Sequence, residues 1–122
     1  MNRTTYVAML GALAFLWLVL HLLALKFYFY WTLAPFDALM HMLGGFILTS
    51  FFLSLWWAHM SQVAVKILSV FGMLILAVLW ELIEYATGNT FTVSLYTVDT
   101  ILDFLWNGIG GILALLYVSR LS

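Results

Sequence analysis

The sequence predicts an all-α, polytopic membrane protein, with four transmembrane helices forming two repeated hairpins in a single domain over residues 1–122. Three observations carry this expectation. Of the 122 residues, 66% are hydrophobic and 7% charged, and the mean hydropathy is +1.14; a soluble domain carries about a quarter charged residues. Four stretches reach the roughly 20 apolar residues that a helix needs to cross a bilayer. The second and fourth of them open on one pattern, Asp-x-x-x-(His/Asn)-x-x-Gly-Gly, at Asp37–Gly45 and Asp103–Gly111. Composition also excludes several classes. A single Pro and no low-complexity tract exclude disordered and fibrous chains, and a net charge of −1 leaves no basic footprint for nucleic acid. The absence of Cys removes disulfides, thiolate metal sites and a Cys nucleophile.

In order, the expected spans are Tyr6–Trp31, Phe36–Ala58, Val63–Tyr85 and Tyr96–Val118. The first has too long an apolar core for a signal peptide and no small-residue cleavage site after it, so it is expected to stay as a helix. Thr32 to Pro35 breaks the chain before the second span, where Pro suits a first helical turn. His59 to Gln62 forms the next break, and Ala86 to Leu95, rich in Thr, Ser, Gly and Asn, forms the third. Four crossings put both termini and the second break on one face, side A, and the other two breaks on side B. Arg3, Lys66 and Arg120 flank side A against Lys26 alone towards side B, which predicts cytoplasmic termini. The aromatic runs Phe27 to Trp31 and Trp56-Trp57 read as interfacial belts with no catalytic role.

Polar residues become informative once placed on these spans. Asp37 and His41 open the second, Glu81 and Glu84 close the third, and Asp99, Asp103 and Asn107 open the fourth. Every acid in the chain therefore lies in the side B half. Spacings of three and four residues put each set on one helix face, so compact packing would gather them into one layer. Such a cluster, balanced only by Lys26 and His21, must hold protons, bind a cation or open to water. A divalent metal meets that need: carboxylates suit Mg²⁺ or Mn²⁺, and an imidazole admits Zn²⁺. The expected ligands are Asp37, His41, Glu81, Asp103 and Asp99, with Asn107 and Lys26 as supporting groups. The repeat suggests two hairpins related by an axis along the membrane normal. Its Gly pairs would let the second and fourth helices cross closely beneath the site.

Plainer readings exist for several of these residues. Asp37 and Asp99 sit where acids cap a helix, Glu84 sits at a boundary where it would face water, and Glu81, His41 and Asp103 would also serve as a structural hydrogen-bond network. His21, about 15 Å from the expected side B end of the first span, reads as a core hydrogen-bonding residue. A haem held by His21 and His41 is disfavoured because their expected depths differ.

The order Asp37-x3-His41, then Trp80-Glu81-Leu82-Ile83-Glu84-Tyr85, then Asp99-Thr100-x2-Asp103-x3-Asn107-x2-Gly110 resembles the small VanZ-like and YjdF-like membrane proteins over about two thirds of the chain. The resemblance implies a protein of the cell envelope in a bacterial or archaeal cytoplasmic membrane, from a family linked to resistance to the glycopeptide teicoplanin. VanZ-like proteins usually carry an Arg shortly before the closing Asp motif. Residues Thr87 to Val98 contain no basic residue; if that Arg binds an anionic substrate, this chain has lost the contact or uses Lys26 instead.

The functional expectation is an outward-facing carboxylate and His cluster that binds a divalent metal and acts on a lipid-linked phosphate or envelope precursor. Glu81 or Glu84 would be the catalytic base. Membrane lipids, a lipid-linked precursor, further copies of the chain or a larger membrane complex are the expected partners. Two alternatives come from other classes: a proton or cation pathway, and an accessory structural subunit.

Overall fold

Asn2 begins the first helix by accepting the Thr5 backbone N–H on its side-chain oxygen, at 2.9 Å. In the computed structural model, which describes residues 1–88 and 96–121, the chain is helical throughout with no strand among the described residues. The long helices are α1 (Arg3–Lys26), α3 (Ala34–Leu55), α4 (Val63–Thr87) and α5 (Tyr96–Ser119); a single-turn α2 (Phe29–Thr32) links the first pair. Each long helix is long and apolar enough to cross a membrane. That is the form a chain of this composition must take in lipid, where every backbone N–H and C=O needs an internal partner.

The ends are set locally. Pro35 lies in the first turn of α3 beside the acid Asp37. Gly88 ends α4 at φ 72°, and its N–H bonds the carbonyls of Glu84 and Tyr85; only Gly adopts that conformation without strain. Two spans end earlier than the sequence expectation. The first span ends at Lys26 rather than Trp31, because Tyr28 takes up a left-handed conformation (φ 60°) and reverses the chain into α2. The second ends at Leu55 and passes into a 3₁₀ turn, Trp57–His59. Of the expected third break, residues 89–95 lie outside the described residues.

Helix α3 is the centre of the bundle and packs on α5, α4 and α1. Its closest neighbour is α5, and glycine is the reason. A Cβ on Gly45 would overlap the Asn107 carbonyl, and one on Gly110 would overlap the Met42 carbonyl. These two contacts are nearly reciprocal between the aligned segments, and small residues on both helices make so close a crossing possible. Towards side A the bundle closes over an apolar core of Tyr6, Leu10, Leu53, Met60, Val65 and Val118. The side B half is filled differently, by polar groups and by space.

Candidate metal centre

His41 stands at the middle of the polar layer, 8% exposed. Its Nε2 lies 3.4 Å from Asp37 Oδ1, one turn earlier on α3, and 3.4 Å from Asp103 Oδ1 on α5. Asp37, His41 and Asp103 each offer one donor atom within 4.8 Å of the others, so this triad has the make-up and spread of a metal site. The spacing is informative. Charge-assisted N–H···O bonds fall at about 2.7–2.9 Å, shorter than both contacts. Two donors about 2.0–2.2 Å from one tetrahedral ion lie about 3.3–3.6 Å apart; the two His41 contacts fall in that range, and the two carboxylates lie within 4.8 Å of each other. On its far side, His41 Nδ1 is 3.3 Å from the amide Nδ2 of Asn107. A carboxamide there can also turn its oxygen to accept Nδ1–H, which fixes the tautomer that leaves Nε2 free to ligate.

The other predicted residues are distributed around the triad. Glu81, 5% exposed, is directed to α5: Thr100 Oγ1 donates to its Oε2 at 3.4 Å, and its carboxyl lies within reach of Asp103. Among the described residues its Oε1 is buried with no hydrogen-bond partner, which is costly for a carboxyl oxygen unless a proton or cation neutralises it. Glu81 therefore borders the triad from α4 without belonging to it. Asp99 is half-buried one turn before Asp103 and acts electrostatically on both Glu81 and Asp103. Glu84 is half-buried and lines a cavity beside Asp37 and His41. Lys26 is outside the site. The end of α1 turns its ammonium over the Phe27 ring, 5.4 Å from the centroid, and among the described residues no acid pairs with it.

That cavity is a slot of about 330 Å³ between α1, α3 and α4. Its side B end is polar, with Tyr30, Asp37, His41, Glu84 and Asn107; the remainder is lined by apolar side chains such as Ile47, Leu48, Leu76 and Ala77. Sequence reasoning missed this feature and the residues that roof it. Because α1 stops at Lys26, His21 lies only about 8 Å from the helix end, and the reversed chain brings Tyr30 back to it, with Tyr30 Oη 2.6 Å from His21 Nδ1. Trp17 stacks on His21 at 5.2 Å, and Trp80 of α4 meets both rings edge-on. Tyr30 is thus a wall of the site. Burial, then the carboxylates of Asp37 and Glu84, push its phenol above the ordinary tyrosine range. The depth argument that separated His21 from His41 also falls, since it rested on a helix end five residues too late. No pattern readable in the sequence marks a left-handed Tyr28, and without that turn Tyr30 cannot be placed.

The buried hydroxyls nearer side A are of two kinds. Ser54 and Ser69 bond to carbonyls of their own helices, while the Thr49 and Ser50 hydroxyls have no hydrogen-bond partner among the described residues. No curated protein and no solved structure matches the chain significantly. A family model does match, over residues 2–122, and an all-helical chain with four membrane-crossing helices fits its description: the protein belongs to the family described as "Predicted membrane protein (DUF2238)".

Proposed function

We propose that this protein is a small membrane metalloprotein that acts on a lipid-linked phosphate at the side B surface. The observation that carries the reading is the pair of 3.4 Å separations between His41 Nε2 and two carboxylate oxygens on different helices. Asp37, His41 and Asp103 would hold the ion, and Asn107 would fix the imidazole. The orphaned Glu81 oxygen supports a cation nearby, because positive charge would offset its burial. The donor set, one imidazole with carboxylates, suits Zn²⁺ or Mn²⁺, and Mg²⁺ with added water. When bound, such an ion lowers the pKa of water and polarises a phosphoryl oxygen.

The chain's own groups supply the rest. Glu84, at the polar end of the slot, would accept the proton of the attacking water. Glu81 lies too close against α5 for that role and would instead balance charge beside Asp103. Tyr30, held by His21, would donate a hydrogen bond to a bound oxygen. The amino termini of α3 and α5 would favour an anionic head group on the same side. The VanZ-like and YjdF-like resemblance supports an envelope role, and the Lys/Arg distribution supports cytoplasmic termini with the site facing outward.

Metal content by mass spectrometry on detergent-purified protein tests the reading. Stoichiometric metal in the wild type, lost in both His41→Ala and Asp103→Ala while the variants remain folded, is the expected result. A folded, metal-free wild type that takes up neither Zn²⁺ nor Mn²⁺ overturns it. A second reading, a proton or cation pathway, is favoured by the buried Thr49 hydroxyl, which lies two turns deeper on α3 than His41 and has no hydrogen-bond partner among the described residues. Ion flux in proteoliposomes abolished by Thr49→Val would select it.

A further inference from the structure

We propose that the slot between α1, α3 and α4 receives one hydrocarbon chain of a membrane lipid phosphate, threaded from the middle of the bilayer up to the polar cluster. Three features of the slot lead to this occupant. The first is its gradient: polar groups line one end, and Ile47, Leu48, Leu76 and Ala77 line the remainder. An amphiphile has that gradient, and a free phosphate or a metal complex does not. The second is length. Asp37 and Leu48 both line the slot, and eleven residues of helix separate them by about 16 Å, about half of a 30 Å hydrocarbon layer.

The third is the entrance. Close to side B, α1 and α4 are bridged by Trp17, His21 and Trp80. Apart from these rings the two helices make little contact. Ala14, one turn deeper than Trp17, lines the slot and is also exposed. The window is therefore lateral, below the aromatic bridge and near the bilayer midplane. A tail can enter there without passing through water. An unfilled apolar gap of this size would forfeit packing contacts along its lining, while in lipid the exchange of one tail environment for another costs little. Choice of ligand then falls to the head group, beside Tyr30, Asp37 and Glu84.

The phosphate in this proposal rests on the metal reading given above; the chain in the slot does not. The test uses full-length protein in phosphatidylcholine nanodiscs, loaded with Zn²⁺ or treated with chelator. The probe is a long-chain alkyl phosphate bearing a diazirine at mid-chain. Photolysis and peptide mapping are expected to place the label on the segments containing Leu48 and Leu76. Excess unlabelled alkyl phosphate should compete it away, and Ala77→Phe, which fills the slot, should abolish it without loss of metal. Ala14→Phe blocks the exposed mouth and serves as the second variant should the deeper one fail to fold.

Label spread evenly over outward faces such as Phe15, Leu82 and Leu105, and unchanged in both variants, overturns the proposal. So does metal-loaded protein with no label in the slot, an outcome that leaves the metal reading standing. Slot labelling that is equal with and without metal supports the hydrocarbon site and removes the phosphate from it. Failure of one idea is thereby separable from failure of the other.

Discussion

Gly45→Ala should disable the metal centre without altering any group that touches it. The two halves of the triad come from different helices: Asp37 and His41 from α3, Asp103 from α5. These helices are held at their observed separation because Gly45 admits the backbone carbonyl of Asn107. A methyl group placed there meets a carbonyl in the middle of a helix, which cannot rotate away as a side-chain tip can. The helices must part by about 1 Å, an overpacking that costs about 1–3 kcal/mol. The 3.4 Å separation between His41 and Asp103, the one that spans the two helices, would then open past 4 Å, whereas a working constellation tolerates about 0.5 Å. A displacement of that size costs about a hundredfold in function or affinity.

The control is Gly108→Ala on α5. Nothing lies within 4 Å of the added atom, and the better helix former contributes up to about 1 kcal/mol of stability. Thermal unfolding by tryptophan fluorescence and competition against a chromophoric chelator read both effects in detergent. Gly45→Ala should be less stable and bind metal far more weakly, while Gly108→Ala should match or exceed the wild type in both assays. Equal behaviour of the two variants would refute the claim that glycine-mediated crossing sets the site.

Other expectations follow from single residues. Asn107→Ala should weaken metal binding about 10–100-fold at unchanged stoichiometry, measured by the same competition, because it removes the partner of His41 Nδ1. Chelation should lower the thermal midpoint of the wild type but not of His41→Ala; saturating metal at about a hundred times its Kd contributes about 2.7 kcal/mol of apparent stability. Tyr30 supplies a pH dependence. Its folded-state pKa is raised, so its contribution is complete below the ordinary value of about 10 and is lost as pH rises above it. Thermal midpoints measured from pH 8 upward should therefore fall above about pH 10 in the wild type and fall less in Tyr30→Phe. Ala replacing Gly88 should cost about 1 kcal/mol, since φ 72° suits only Gly; an unchanged midpoint would show that this end of α4 relaxes freely.

Much of this protein was legible in its sequence. The number of spans, their helical nature and the gathering of all acids in one half follow from composition and from where polar residues interrupt apolar runs, because lipid tolerates no other arrangement of backbone. Asp37 with His41, and Asp103 with Asn107, were recognisable as same-face pairs because helical spacing is a local property. Gly44-Gly45 and Gly110-Gly111 marked a close crossing for a similar reason. Three things depended on tertiary structure. Which acids meet was settled by the rotation of each helix about its axis, which turned Glu81 towards Thr100 and left Asp37, His41 and Asp103 together. The slot arose from the gap between α1 and α4, a property of neither helix alone. And Tyr30 reached His21 because a non-glycine residue, Tyr28, was held in a left-handed turn. Local sequence disfavours that conformation for a non-glycine residue, so nothing along the chain marks it.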